Sequence, residues 1–136
     1  MLTLKIPIEI FEQILAQARA EMPLEACGII AGTNGTCKKL YKMTNIDQSS
    51  THCMMDPSEQ FKVTRDIRSS NLKLLAIYHS HPETPARLSE EDFRLALTPD
   101  VTYIIVSLQD MDSPVIKGFH IENGNATETL IELVKE

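Results

Sequence analysis

An apolar run that ends in two closely spaced histidines is the feature that most constrains how this chain can fold. The run 72–78 is typical of a buried strand and leads directly into His79-Ser80-His81-Pro82. Because successive side chains of a strand point to opposite faces, a step of two puts both imidazoles on one face. Pro82 has no amide hydrogen to donate, so it predicts the end of the strand just after the pair.

The next predicted element of the chain contributes an acidic side chain. Asp92 lies near the start of an amphipathic segment, 89–97, which we expect to form a short helix. Two imidazoles and one carboxylate form a common catalytic zinc set, which leaves the fourth tetrahedral position for water. His79, His81 and Asp92 are therefore candidate ligands for one zinc ion. Ser89 and Asp92 also fit a capping box, and Asp92 can bind metal while Ser89 caps the helix.

The histidine pair alone is a weak motif, because several unrelated metal folds use it. A (β/α)8 barrel needs roughly 250 residues, and this chain has 136. A zinc deaminase would need a C-x-x-C pair, and Cys27, Cys37 and Cys53 are far apart. A cupin-like all-β barrel fits poorly with the helices that the sequence predicts.

The periodicity of the chain predicts a mixed sheet with helices packed against it, in the α/β (α+β) class. We expect a single domain, 1–136. Strands are expected at 2–6, 24–33, 36–43, 72–78, 101–108 and 115–121, helices at 7–21, 56–70 and 89–97, and a strand or short helix at 127–134. Asn34-Gly35 and Asn123-Gly124 are turn signals, and Asp56 with Pro57 is a helix start.

Composition and charge narrow the range of partners. The net charge of −6 argues against nucleic-acid binding, and no window approaches the length of a membrane span. The first seven residues lack a basic and then apolar segment, so we expect no signal peptide. Three widely spaced cysteines are typical of reduced thiols in a cytoplasmic protein, although one disulfide stays open. Because no close cysteine pair exists, a structural metal on cysteine is disfavoured.

Glu25 is the candidate for proton transfer. It precedes an apolar strand, so it is either an exposed carboxylate at a strand start or a base beside a metal-activated water. Cys27 is discounted as a nucleophile, because it lies within an apolar strand with no base nearby in the sequence. His52, Cys53 and His120 are expected to pack or to lie at the surface rather than to form a second metal site.

Taken together, these residues resemble the signature of the JAMM (MPN-plus) metallopeptidases. The signature is carried by Glu25, by His79-Ser80-His81-Pro82, and by Ser89 and Asp92. Two further segments look like the family's glutamate-bearing segment and the start of its middle helix: Pro23-Leu24-Glu25-Ala26-Cys27-Gly28 and Met55-Asp56-Pro57-Ser58-Glu59-Gln60. The resemblance runs from about residue 8 to residue 108. Many relatives have proline just before the motif serine, where this chain has Leu88.

The resemblance implies a role for each of these residues. His79, His81 and Asp92 would hold zinc. Glu25 would be the general base that activates the zinc-bound water and later passes its proton to the leaving amine. Ser89 would help to stabilise the oxyanion. The implied fold is the family's curved mixed β-sheet flanked by two or three helices, with a cytidine-deaminase-like architecture.

The resemblance also implies a substrate. The compact, stand-alone members of the family act on a ubiquitin-like or sulfur-carrier protein, at the amide bond after a C-terminal Gly-Gly. Such a tail is expected to add as a strand along a sheet edge. The alternatives are a non-catalytic MPN-type interaction module and a zinc hydrolase of a small-molecule amide. The sequence leaves the modifier, the choice between peptide and isopeptide, and the oligomeric state open, with a homodimer among the options.

Overall fold

The computed structural model describes residues 3–135 of the chain. Within this range the chain forms seven strands and three helices, joined by loops and turns. The strands are Thr3–Pro7 (β1), Cys27–Thr33 (β2), Thr36–Met43 (β3), Lys73–His81 (β4), Thr102–Ser107 (β5), Val115–Glu122 (β6) and Asn125–Val134 (β7). The helices are Ile8–Glu21 (α1), Pro57–Ser69 (α2) and Glu90–Leu95 (α3). Leu2, which belonged to the expected first strand, lies outside the described residues. Within residues 3–135, no helix has the length and apolarity needed to cross a membrane.

The sheet closes on itself in the order β1-β3-β2-β4-β5-β6-β7, with β7 returning to β1. The mixed sheet with three helices is confirmed, and the sheet is closed and more barrel-like than the curved sheet that the resemblance implied. Closure depends on β1, which runs parallel to β7 from Thr3 opposite Leu130 to Pro7 opposite Val134. It also meets β3 where Lys5 lies opposite Thr36. Local periodicity carries no information on such a distant pairing, so the closure could not be read from the sequence.

The two faces of the sheet are covered by different helices. α1 packs Ile10 and Ile14 into a core with Leu4, Ile30 and Ile104, all of which are buried. On the other face, Ile67 of α2 packs into a second core with residues from β2 and β3. The step of four from Ile10 to Ile14 is the periodicity that predicted α1. α3 buries no side chain, so its position depends on its ends and on its polar contacts.

Local signals account for where most elements begin and end. Asn34 and Gly35 join β2 to β3 with φ of 52° and 75°, as a type I′ hairpin turn requires. Asn123 and Gly124 repeat this between β6 and β7, with φ of 53° and 76°. The Asp56 carboxylate accepts a hydrogen bond from the Ser58 amide at 3.0 Å and caps α2.

Several segments differ from the expected boundaries. Pro7, expected in the first turn of α1, is the last residue of β1, and β4 runs to His81 rather than ending at Tyr78. The final segment is the strand β7 rather than a helix, and it begins at Asn125. α3 ends at Leu95, two residues before the expected end at Leu97. β2 begins at Cys27 rather than at residue 24, because the backbone of Glu25 bonds to a loop instead of to a neighbouring strand.

Gly28 allows a close approach between β2 and the Tyr78 side chain. A Cβ atom at position 28 would lie 2.2 Å from the Tyr78 ring. Tyr78 is 1% exposed, and its hydroxyl donates a hydrogen bond to the buried Gln17 carboxamide. The ring therefore has little freedom to move away.

We predict that Gly28→Ala lowers the free energy of unfolding by about 1–3 kcal/mol, because the new methyl group overpacks the core. Urea unfolding followed by circular dichroism measures the loss. In a Tyr78→Leu background the same substitution should cost less, since the ring that it meets is gone. Equal costs in the two backgrounds would show that the Tyr78 ring is not what excludes a side chain at position 28.

Candidate metal centre

Strand β4 holds the two histidines on one face, as the step of two predicts. His79 lies opposite Cys27 of β2 on one side and opposite Ile105 of β5 on the other. His81 is 5% exposed and lies opposite Ser107. A strand with neighbours on both sides is a rigid support, so the two imidazoles are held in a fixed relation.

Three ligand atoms from β4 and α3 converge at one point. The Nε2 atoms of His79 and His81 lie 3.1 Å apart. Asp92 Oδ1 is 3.0 Å from His79 Nε2, and Asp92 Oδ2 is 3.2 Å from His81 Nε2. Tetrahedral zinc with bonds of about 2.0–2.1 Å separates its ligands by roughly 3.3–3.4 Å. Zinc therefore fits the spacing and the chemistry of these donors.

The loop after β4 orients His81. Its Nδ1 lies 2.9 Å from the carbonyl oxygen of Pro85, which assigns the hydrogen to Nδ1 and leaves the Nε2 lone pair free for a metal. The Ser107 hydroxyl donates to the Thr84 carbonyl at 2.6 Å and fixes the same loop. Leu88, where many relatives have proline, lies beyond these two contacts and makes neither of them.

Ser89 and Asp92 form the capping box that the sequence predicted. The Ser89 hydroxyl oxygen accepts a hydrogen bond from the Asp92 amide at 3.1 Å, and Asp92 Oδ2 accepts one from the Ser89 amide at 2.9 Å. The cap therefore also aims the Asp92 carboxylate at the histidines. Ser89 is exposed and does not line the cavity beside them. Its role as an oxyanion stabiliser stays a prediction.

The two histidines stabilise the ionised form of Asp92, and Asp92 stabilises the charged form of His81. Burial by itself would raise the pKa of Asp92, but hydrogen bonds from His79 and His81 outweigh it and hold this pKa well below its usual range. Burial by itself would lower the pKa of His81, but the contacts with Asp92 and the Pro85 carbonyl raise it. The site therefore favours an ionised carboxylate, which is the form that binds metal.

Glu25 has the environment expected of a proton-transfer group. It is 2% exposed, and among the described residues its Oε1 is the buried side-chain oxygen without a hydrogen-bond partner. It lines one cavity together with His79 and Asp92. Burial raises its pKa to about 8, His81 opposes the rise, and Asp92 adds to it. A buried, unpartnered carboxyl beside three side chains that could hold a metal ion is typical of a catalytic base.

Ser80, the residue between the histidines, connects Glu25 to β4. The Ser80 hydroxyl accepts a hydrogen bond from the Ala26 amide at 2.8 Å. The Ser80 amide donates to the Ala26 carbonyl at 2.9 Å. The carboxyl-bearing residue and the histidines are therefore joined by the same pair of strands. The position of Ser80 within the motif was visible in the sequence, but its bonding partner was not.

An apolar groove adjoins the candidate metal centre. Besides Glu25, His79 and Asp92, its walls are formed by Cys27, Cys53, Met55, Ile77, Tyr78, Leu95 and Tyr103. Cys53 and Met55 come from the loop before α2, and Leu95 comes from α3. We expected Cys53 to pack or to lie at the surface, and no local pattern indicated that it lines a groove.

The cysteines and the remaining histidines provide no second site. All three cysteines are free thiols. Burial raises the pKa of Cys37 to about 12, and the hydrogen bond with Cys27 together with burial raises the pKa of Cys53. A thiol with a raised pKa is a poor nucleophile near neutral pH, so Cys37 and Cys53 are poor candidates for that role. His52 lies 3.1 Å from Asp47, and His120 lies 3.8 Å from Glu122.

Comparison with known families assigns the chain. Residues 7–117 match the model that describes prokaryotic homologs of the JAB domain. The chain belongs to this family. The resemblance to the JAMM (MPN-plus) family is therefore confirmed, with the match to the family's prokaryotic homologs.

Named relatives of this JAB-domain protein are peptidases. This chain is 34% identical over 135 residues to the CysO-cysteine peptidase of Mycobacterium tuberculosis, and the alignment covers 98% of this chain and 92% of the relative. It is 33% identical over 96 residues to the "Probable TtuB-protein conjugate cleaving protease" of Thermus thermophilus, covering 70% and 64%. A solution structure of a Desulfitobacterium hafniense protein superposes with a TM-score of 0.89 at 39% identity, covering 98% and 94%.

We predict that His79→Ala and Asp92→Ala each remove zinc from this JAB-domain protein. Each substitution takes away one of the three converging ligand atoms, and two ligands hold zinc poorly. Metal analysis of the purified proteins after dialysis measures the loss. His120→Ala removes a histidine outside the centre and should leave the zinc content unchanged. Full zinc content in Asp92→Ala would contradict this ligand set.

The raised pKa of Glu25 predicts a pH-dependent stability. Burial raises the pKa of Glu25 to about 8 in the folded protein, against an ordinary value of 4.5 for a glutamate side chain. Between these values the unfolded chain has lost a proton that the folded protein retains. The free energy of unfolding therefore falls as pH rises from about 4.5 to about 8, and then levels.

We predict that Glu25→Gln removes this fall in the free energy of unfolding with rising pH. In chelator-treated protein, the variant should gain on the order of 1–3 kcal/mol relative to wild type between pH 5 and pH 8.5, as measured by urea unfolding. Glu83→Gln, which removes an exposed carboxylate, should follow wild type across this range. A stability difference between Glu25→Gln and wild type that does not change with pH would rule out the raised pKa.

Proposed function

We propose that this protein is a zinc-dependent peptidase that hydrolyses the amide bond after the C-terminal Gly-Gly of a ubiquitin-like or sulfur-carrier protein. The observation that carries the proposal is the buried Glu25 carboxyl, with Oε1 unpaired, beside the ligand atoms of His79, His81 and Asp92. A non-catalytic module has no need of a buried carboxyl without a partner, since such a group costs stability.

Each residue has a defined part in the proposed reaction. Zinc held by His79, His81 and Asp92 would act as a Lewis acid on the scissile carbonyl and lower the pKa of an attacking water toward about 7. The Glu25 carboxylate would take a proton from the water and deliver it to the leaving amine. A carboxyl whose pKa is raised toward neutral suits both transfers.

Ser89 would donate a hydrogen bond to the oxyanion. Its hydroxyl oxygen already accepts the amide hydrogen of Asp92, and acceptance leaves the hydroxyl's own hydrogen free to donate. The cap and the proposed catalytic contact are therefore compatible. Such a donor is worth about 10²–10³-fold in rate when it is placed at a developing oxyanion.

The groove and the relatives support a protein tail as substrate. β1 meets β3 only where Lys5 lies opposite Thr36, so the closed order of the sheet leaves the expected strand addition along a strand edge possible. The groove between Leu95 of α3 and the Cys53–Met55 segment leads to Glu25 and His79 and offers an alternative path for an extended tail. The relatives' names specify a cysteine adduct in one case and a protein conjugate in the other.

We predict that Glu25→Gln retains zinc and loses about 10²–10⁴-fold in kcat, because the metal ligands remain while proton transfer is lost. The substrate is a fusion in which a ubiquitin-like protein ends in Gly-Gly before a reporter. Cleavage by wild type should stop on adding a chelator. Glu83→Gln should cleave as wild type does. Full activity of zinc-loaded Glu25→Gln would show that another group is the base.

Three further substrates assign the chemistry more finely. They are a Gly-Gly tail joined to a lysine side chain, the same tail joined to free cysteine, and short acyl amides without a carrier protein. Cleavage of the first two, with the short amides left intact, supports a carrier-directed peptidase. Cleavage of the short amides alone would support the small-molecule hydrolase instead.

A further inference from the structure

We infer that Asn45 is a positioning residue that holds the backbone of Glu25 and the groove wall in one fixed arrangement. Asn45 lies 20 residues from Glu25 in the sequence, and its carboxamide is 4% exposed. The inference rests on the proposed function, because it assigns to Asn45 the placement of the proposed base.

The Asn45 carboxamide is fully used in hydrogen bonds. Its Nδ2 donates to the Glu25 carbonyl at 3.1 Å, to the His52 carbonyl at 3.1 Å, and more weakly to the Ser49 carbonyl at 3.4 Å. Its Oδ1 accepts from the Asp47 amide at 3.2 Å and from the Met54 amide at 3.1 Å. A carboxamide offers two N–H donors and two lone pairs, and all of them have partners here.

The loop that Asn45 organises also supports Glu25 from the other side. The Glu25 amide donates to the Ser49 carbonyl at 2.8 Å. Both backbone groups of Glu25 therefore bond to the loop 44–55, and neither bonds to a neighbouring strand. The direction of the Glu25 carboxyl consequently depends on this loop as well as on the two hydrogen bonds that join Ala26 to Ser80 of β4.

The same loop forms one wall of the groove. Cys53 and Met55 line the cavity together with Glu25. Met54 lies between them in the chain, and its amide donates a hydrogen bond to Asn45 Oδ1. Ile46 extends this pairing, because its amide donates to the Met54 carbonyl at 2.9 Å. One buried side chain thus fixes both the proposed base and the surface that a substrate tail would meet.

An alanine side chain at position 45 cannot provide these hydrogen bonds. Alanine would leave the Glu25 and His52 carbonyls and two loop amides without their partner, and unpaired buried polar groups are costly. None of the three metal ligands lies in this loop, so zinc binding does not depend on it directly. A positioning role therefore predicts lost turnover with retained metal.

Asn45→Ala tests the inference, with Gln17→Ala as the matched control. Gln17 is also a buried carboxamide, 7% exposed, and it donates to the Cys27 carbonyl at 2.9 Å without bonding to the loop. Both substitutions remove a buried carboxamide next to β2. Loss of stability alone should therefore affect the two variants alike.

The first readout is amide hydrogen exchange in the zinc-loaded protein, which is independent of activity. In Asn45→Ala, the amides of Glu25, Asp47 and Met54 should exchange at least about tenfold faster, since their bonds depend on this loop. The amides of Ile104 and Val106 should be unchanged. In Gln17→Ala, the Glu25 and Met54 amides should keep their protection. Unchanged exchange in Asn45→Ala would overturn the inference.

The second readout is cleavage of the Gly-Gly-tailed fusion. Asn45→Ala should keep its zinc and lose at least about tenfold in kcat, because a misdirected base slows the chemical step. Gln17→Ala should stay within about twofold of wild type at a temperature where both variants are folded. An active wild type with an equally active Asn45→Ala overturns the Asn45 assignment alone. A zinc-loaded wild type that cleaves none of the four substrates overturns the proposed function and this inference together.

Discussion

The antiparallel pairing of β2 with β4 is the interaction on which the candidate site depends. It places Cys27 opposite His79 and joins Ala26 to Ser80 through two hydrogen bonds. Residues far apart in the sequence thereby become neighbours: Glu25, the proposed base, lies just before β2, and the two proposed metal ligands His79 and His81 lie on β4. α3 then supplies the carboxylate through a cap whose bonds also fix its direction. The rest of the molecule keeps this pair of strands in place.

The structural features that could be predicted from the sequence are those that depend on residues close to one another in the chain. The step of two at His79 and His81, the capping box at Ser89 and Asp92, and the Asn-Gly turns were all predictable, because each is fixed within a few residues. Closure of the sheet, the contribution of Cys53 to the groove and the contacts of Asn45 were not predictable. An asparagine in a polar loop gives no sign of which distant carbonyls it will bond to, and a terminal strand gives no sign of its partner.

The site favours opposite protonation states in its two carboxyl groups. Asp92 is held ionised by the two histidines, whereas burial favours a protonated Glu25. Two carboxyl groups that line one cavity therefore differ in their affinity for a proton. This division separates metal binding from proton transfer, and it places a stability cost at the residue proposed to be catalytic. Stability lost at such a position is a common consequence of function.

The parallel pairing of β1 with β7 joins the first described strand to the last, with Thr3 opposite Leu130. During synthesis on the ribosome, the hydrogen bonds between β1 and β7 can therefore form only after residues 130–134 have been made. β2, β3 and β4 have no such delay, because they pair with one another within residues 27–81. The strands that carry Glu25's neighbours and the histidines can thus assemble early, while closure of the sheet comes last and is the slow, high-contact-order step.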